Sequence, residues 1–231
     1  MRKYFFDYSF LVVFVLLSHI SLSKNALRNS NASSSPWSVG LNISTFGPGI
    51  EFSKSISEKA VVSLGFSYLS YNYPLSKLDE ELSGDARILV GGPALEVDYY
   101  FYKSLYIAGG ITYNLTELDV DGEMAESVFI GDIEMYPNEV GHVSLNIVPE
   151  YRFSPYIGLG IGKVVPRNKN LSFSFEVGLV YHGNLQVGLE TTGMLEPTDS
   201  IEQEQLIQEN ISPLTFWPVV AFRVALKLGG K

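Results

Sequence analysis

From position 37 onward the chain alternates apolar and polar residues with a period of two. This period is typical of β-strands whose two faces meet different surroundings. About ten such segments follow one another, which predicts an all-β, antiparallel up-and-down protein. The clearest segments lie at 62–68, 95–101, 173–181 and 216–228.

Helical periodicity is confined to one stretch, residues 199–211 (DSIEQEQLIQENI). Asp199 and Glu202 stand at the spacing of a capping box. The stretch predicts a short acidic helix in the last long connection, outside any core.

The connections alternate between short and long. Short turns on one side and long loops on the other are typical of bacterial transmembrane barrels, whose short turns face the periplasm. The pattern therefore predicts a transmembrane barrel of about ten strands, or eight if the first two do not join the wall. The predicted short turns are Ser57-Glu58, Lys103, Ser154-Pro155 and Gly183, the long loops are 74–85, 118–142, 165–170 and 194–214, and residues 46–48 are a short exception.

Charge separates the two faces of the predicted strands. On the apolar face the charged residues are Lys54, Arg87 and Lys163, all near strand ends. A charge at the lipid midplane costs about 2–4 kcal/mol, so this face is expected to contact lipid. The charged residues of the opposite face are expected to point into the lumen: Glu51, Glu96, Asp98, Glu150, Arg152, Glu176, Glu190, Arg223 and Lys227.

The lumen of so small a barrel is narrow and filled by side chains. Buried carboxylates there need cationic partners. We expect Arg152, Arg223 and Lys227 to neutralise the lumenal carboxylates. Such a network either plugs the lumen or lines a narrow polar conduit.

A secreted soluble β-barrel that binds an apolar ligand is the structural alternative, with the apolar face inside. Charged residues make up 18% of the chain, against about 25% in soluble domains. The low charge favours the membrane barrel.

The first 23 residues have the features of a signal peptide. Arg2 and Lys3 precede an apolar run at 10–17, and Ser21 and Ser23 occupy the small-residue positions. We expect cleavage after Ser23, a disordered lead-in at 24–35 and a barrel domain at 36–231, the alternative being an uncleaved anchor.

Composition excludes several classes of function. The 231-residue chain has a net charge of −9 and no cysteine. Nucleic-acid binding is excluded because it needs a basic surface, and disulfides, thiol catalysis and cysteine zinc sites are excluded with the cysteines.

Two glycine-rich segments resemble a known family: PYIGLGIG at 155–162 and FEVG at 175–178. They are similar to strands of small outer-membrane barrels of the broad OmpA/OmpX/OmpW-like superfamily, including the Bacteroidota-type outer membrane β-barrel domains. The resemblance implies an outer-membrane location and lipid as a partner.

One constellation raises the possibility of catalysis. His142, Ser144 and Glu150 resemble the Ser, His and Glu of lipid A deacylase barrels, although Leu145 stands where that family has Asn. An acidic rim with a histidine also resembles the omptin proteases, whose Asp–His pair activates water. A rim histidine without catalytic function is the expectation, and the outer-membrane hydrolase is the alternative.

The region 118–142 is acidic, and Asp119 to Glu123 invites a calcium interpretation. The spacing of an EF-hand is missing, so we expect a solvated loop, no metal and no cofactor. The functional expectation is a monomeric, non-enzymatic outer-membrane barrel. It would be structural, adhesive through its acidic loops toward an extracellular ligand or surface, or a route for limited passage of small solutes.

Overall fold

A computed structural model describes residues 37–130, 133–166, 169–198 and 201–228. The predicted signal peptide and the lead-in at 24–35 lie outside these residues. The strands are β1 (Trp37–Ser44), β2 (Gly47–Ser55), β3 (Ala60–Pro74), β4 (Leu82–Tyr102), β5 (Leu105–Tyr113), β6 (Glu117–Met124), β7 (Val128–Ile130), β8 (Ile133–Met135), β9 (His142–Pro149), β10 (Phe153–Gly162), β11 (Leu171–Tyr181), β12 (Leu185–Thr191) and β13 (Phe216–Leu228).

Eight of these strands close into an antiparallel ring, which we call the barrel. Its order is β1-β2-β3-β4-β5-β10-β11-β13, and β1 pairs with β13 from Trp37↔Leu228 to Ser44↔Ala221. Each strand neighbours the next ring strand along the chain, so the topology is up-and-down. Trp37 and Leu228 mark the near end of the barrel, and we call the opposite end the far end.

The ring has eight strands because two predicted turns do not reverse the chain. Ser154 and Pro155 lie inside β10, paired with Thr112 and Ile111. Gly183 lies in a short break between β11 and β12, at φ 73°. The strands β9 and β10 are thus two pieces of one long strand, as are β11 and β12. The sequence also allowed eight strands if the first two did not join the wall. Both of these strands do join it, so the count of eight has a different cause.

The sheet continues beyond the ring at the far end. There β4 exchanges its neighbour β5 for β6, from Leu89↔Glu117 to Leu82↔Met124. β6 then pairs with β9, and β9 with β12. We call β6, β9, β12 and residues 82–89 of β4 the outer sheet. Residues 82–85 and 118–124 are therefore strand, where the sequence predicted loops.

The barrel turns its apolar face outward, as expected. Phe175, Leu179 and Phe222 are 44%, 45% and 47% exposed, whereas Arg223 is 5% exposed. A belt of exposed leucine, isoleucine, valine and aromatic side chains surrounds the ring. The alternative of a soluble barrel with an apolar interior is wrong for this part of the chain.

The outer sheet has the opposite polarity. Its outward face holds an Arg87–Asp119 ion pair at 2.5 Å, and Asn146 donates to the same aspartate at 2.5 Å. Its inward face is apolar, and Leu118, Ile147 and Leu185 line one cavity. The outward polar face indicates that this sheet stands in water.

Within the described part of the chain, two helices and two 3₁₀ segments lie in the far-end connections. They are α1 (Pro137–Val140), α2 (Ile201–Ile211), and 3₁₀ segments at Leu75–Lys77 and Gly193–Thr198. The predicted short acidic helix is present as α2, and Asp199 of its predicted capping box lies outside the described residues. Among the described residues, no helix is long and apolar enough to cross a membrane.

Candidate functional site

The lumen of the barrel contains a buried ionic cluster. The Arg223 guanidinium on β13 lies 2.9 Å from Glu51 Oε2 on β2 and 3.3 Å from Glu96 Oε1 on β4. Glu176 Oε2 on β11 lies 4.0 Å away. We call Arg223, Glu51, Glu96, Glu176 and Asp98 the ionic cluster. One guanidinium therefore faces carboxylates from three strands in a space closed to bulk water.

Small residues on the neighbouring strands make room for these side chains. Glu51 is paired with Gly40 and Gly65, and Glu96 with Ser63 and Gly110. Glu176 is paired with Gly160 and Ala221. The glycines therefore serve the crowded interior of a small barrel, as the glycine-rich segments suggested.

Hydroxyl groups complete the coordination of two carboxylates. Ser53 Oγ donates to Glu51 Oε1 at 2.7 Å and accepts from Ser63 Oγ at 2.9 Å. The Tyr156 hydroxyl donates a short hydrogen bond to Glu176. These contacts supply the hydrogen bonds that two of the buried carboxylates need in addition to a counter-charge.

Asp98 is the carboxylate left without such partners. It is 0% exposed, and among the described residues neither of its side-chain oxygens has a hydrogen-bond partner. Oxygens of Asp98, Glu96 and Glu176 lie within 4.8 Å of one another. The cluster has four carboxylates and one guanidinium. Protons or a bound cation can balance the excess of carboxylates.

Apolar layers narrow the lumen on both sides of the cluster. The near-end layer contains Val61, Tyr100 and Tyr106 from the wall and Val164 and Val165 from the β10–β11 connection. The far-end layer contains Phe46, Val90, Val180 and Val219, with Trp217 packed against it. A cavity of about 80 Å³ remains beside the cluster, lined by Arg223 and three of its carboxylates together with apolar side chains.

The near-end layer depends on a segment that is not part of the wall. The Val164 carbonyl accepts from Ser38 Oγ at 3.4 Å, and its amide donates to the Tyr100 hydroxyl at 2.9 Å. Residues 165–170 were predicted as a long outward loop. This prediction was wrong, because the connection lies at the near end together with the turn at Lys103. The apolar run at 164–166 was the available sign that part of this connection is buried.

The structure brings together only part of the predicted lumenal network. Glu96, Asp98, Glu176 and Arg223 meet, and Glu51 joins them. Glu190 is exposed on the outward face of the outer sheet, paired with Ser144. Glu150 is also exposed. Both predictions were wrong because the strand phase shifts at 150–152 and 182–184.

Arg152 and Lys227, the other two predicted cations, do not belong to the ionic cluster. Arg152 Nη1 donates to the carbonyl oxygens of Asn114 and Thr116 at 3.3 and 3.4 Å. It therefore ties the β5–β6 break to the β9–β10 break. Lys227 lies on the inward face of β13, four residues beyond Arg223 toward the near end.

The three candidate catalytic residues do not form a triad. His142 Nε2 lies 3.6 Å from Asp121 Oδ1 on the outward face. Glu150 Oε2 instead accepts from the Asn184 amide at 3.0 Å. Eight residues of extended chain separate His142 from Glu150, roughly 26 Å at the rise of a strand. Ser144 shares the outward face with His142, but Glu150 is far from both.

No protein-family model matches the chain, and no curated protein matches it. Solved structures do. CarO2 of Acinetobacter baumannii aligns with a TM-score of 0.57 and 18% identity, covering 85% of this chain and 100% of that one. CarO of the same species aligns with a TM-score of 0.54 and 17% identity, covering 86% and 100%. At this identity the likeness concerns the fold. The chain is an antiparallel up-and-down transmembrane β-barrel.

Proposed function

We propose that this protein is a non-enzymatic outer-membrane barrel that gives small cationic solutes limited, gated passage. The near end would face the periplasm and the outer sheet the exterior. One observation carries the proposal: a lumenal cluster of four carboxylates and one guanidinium lines a small cavity and lies next to an apolar layer formed partly by a connection.

The charge of the cluster sets the preferred solute. Rings of carboxylates in a narrow lumen favour cations and exclude anions. Asp98 and its two neighbours offer oxygens at a spacing where a cation can pause. Arg223 prevents the carboxylates from repelling one another when no solute is present.

The seal sets the limit on passage. Val164 and Val165 reach the lumen from the β10–β11 connection. The hydrogen bonds of Val164 are to the side chains of Ser38 and Tyr100, so both valines can leave the lumen without breaking the ladder of the barrel. We infer that movement of residues 164–166 opens the near end. The far-end layer, in contrast, is built from wall residues together with Phe46 of the short β1–β2 connection.

The experiment is ion conductance of the full chain in planar bilayers. The double variant Val164→Gly, Val165→Gly should raise conductance several-fold over wild type, with cations preferred over anions. Leu78→Gly, at an exposed far-end position, is the control and should match wild type. A double variant that conducts no better than wild type, or one that prefers anions, would contradict the proposal.

A second variant isolates the role of charge. When Glu96→Gln is added to the Val164→Gly, Val165→Gly variant, the ratio of cation to anion permeability should fall while conductance persists. An unchanged ratio would show that the cluster does not select the solute. Heat-modifiable electrophoretic mobility checks that each variant has folded.

The remaining expectations stay predictions. These are contact with outer-membrane lipid, a monomeric state, and binding of an extracellular ligand or surface. Membership of the OmpA/OmpX/OmpW-like superfamily also stays a prediction. The lipid A deacylase form of the hydrolase alternative has lost its geometric basis, because His142 and Glu150 are far apart. The omptin-like form, which needs an Asp–His pair, stays a prediction.

A further inference from the structure

A second cavity, which we call the chamber, lies at the far end. Its volume is about 540 Å³, and apolar side chains dominate its walls. The inward face of the outer sheet forms one side, the end of α2 and the start of β13 form the other, and Val90 of the far-end layer also lines it. The chamber lining includes Ile88, Leu118, Ile147, Leu185, Ile211 and Leu214.

The outer sheet is built so that this space is apolar. A sheet that stands in water needs an apolar face only if something packs against it. Helix α2 and the residues after it cover part of that face, yet the chamber remains unfilled. Protein interiors contain few voids larger than a water molecule, whereas ligand pockets span about 300–1,000 Å³.

Polar groups take almost no part in the chamber wall. Thr116, His182 and Trp217 belong to the lining residues, but their unpartnered atoms Thr116 Oγ1, His182 Nδ1 and Trp217 Nε1 are fully buried and do not face the open space. The surface that the chamber offers to a ligand is therefore apolar.

Charge narrows the class of ligand further. Acidic residues line the outward face of the outer sheet, and the chain has a net charge of −9. An anionic head group would be repelled on approach. We propose that the chamber binds a small, neutral, apolar molecule taken from the exterior.

This site is separate from the ionic cluster, so the conductance experiments do not test it. The probe is 4′-bromoacetophenone, a neutral aromatic ketone whose bromine quenches indole fluorescence. The chain has two tryptophans, and Trp37→Phe leaves Trp217 as the only reporter. The protein is studied as the full chain in lipid nanodiscs.

In this background the ketone should quench Trp217 with a saturable curve. Ile147→Asp places a carboxylate on the chamber wall and should weaken binding at least tenfold. Val148→Asp is the matched control, because it makes the same change on the outward face of the same strand. It should leave the affinity unchanged. Linear quenching of equal slope in all three proteins would mean partition into lipid and would overturn the proposal.

Discussion

The barrel and the outer sheet are built from the same long strands but have opposite polarity. Along β4, Val97 faces outward in the barrel and Arg87 faces outward in the outer sheet. No break or register shift separates them in the β3–β4 ladder. The strand geometry is therefore the same whichever face is apolar. The surrounding medium decides which face that is.

The same contrast holds for ion pairs. The Arg223 cluster is enclosed in the lumen, and the Arg87–Asp119 pair lies on the outward face of the outer sheet, with Arg87 half exposed. Removing one partner of a buried pair leaves uncompensated charge, whereas an exposed pair contributes little. The two arginines thus offer a direct test of how the regions differ.

The largest expected effect is that of Arg223→Met. It leaves four buried carboxylates without a counter-charge and should lower the free energy of unfolding by about 3–5 kcal/mol. Arg87→Met is the control and should unfold at nearly the wild-type urea concentration. Both are measured by urea titration in vesicles. Equal midpoints for the two variants would mean that the lumen is not closed to water.

Next in size is a new charge on the outward face of each region. Val177→Arg lies on the belt of the barrel and should cost about 2–4 kcal/mol if it faces the lipid midplane. Ser144→Arg lies on the outward face of the outer sheet, near Asp121 and Glu190, and should stay within about 0.5 kcal/mol of wild type. The same urea titration applies. A comparable loss at Ser144 would place the outer sheet in lipid.

A smaller effect is expected inside the barrel itself. A Cβ at Gly160 would lie 2.0 Å from the Tyr106 ring, whereas a Cβ at Gly109 would meet nothing within 4 Å. Tyr106 is fully buried, so Gly160→Ala should cost about 1–3 kcal/mol through overpacking. Gly109→Ala should be neutral by the same titration. Two neutral variants would indicate a lumen with empty space at Tyr106.

The smallest effect concerns pH. Partial burial opposes the change, but hydrogen bonds from Arg87 and Asn146 hold the pKa of Asp119 below its usual value. A lowered pKa stabilises the folded state above the ordinary carboxyl pKa of about 3.9, and this contribution is lost as the pH falls. Asp119→Asn should therefore melt slightly below wild type at neutral pH and match it near pH 3. A difference that persists in acid would exclude the ionised carboxylate as its source.

Much of the barrel follows from alternation alone. The alternating side chains of β11 and β13 place Phe175 and Phe222 outward and Glu176 and Arg223 inward, as the sequence predicts. The turn at Lys103 and the helix α2 also follow from local signals. These features depend on neighbouring residues along the chain, which a sequence reports directly.

The strand number and the outer sheet do not follow so simply. The strand phase shifts between β9 and β10, so an interruption at Ser154-Pro155 resembles a turn although the chain runs on. Along β5 and β6 the apolar residues change from odd to even positions, from Tyr113 to Leu118. The sequence shows this change, but the acidic residues at alternate positions of 118–124 favoured the prediction of a loop.

The ionic cluster was predicted in part for a related reason. Alternation gives the face of a side chain but not its height in the barrel, which depends on the register between strands. Only the register shows that Glu51 lies level with Arg223, while the phase shift at 182–184 turns Glu190 outward. Distant pairings of this kind are not contained in local patterns.

The central claim is that lipid surrounds the barrel and water surrounds the outer sheet, although both faces belong to one continuous sheet. The chain has no cysteine, so single nitroxide labels can be placed at Val177→Cys and Ser144→Cys in bilayers. The label at position 177 should be relaxed by oxygen and protected from a water-soluble nickel complex, and the label at position 144 should show the reverse. Oxygen-dominated relaxation at both positions, or nickel-dominated relaxation at position 177, would contradict the account.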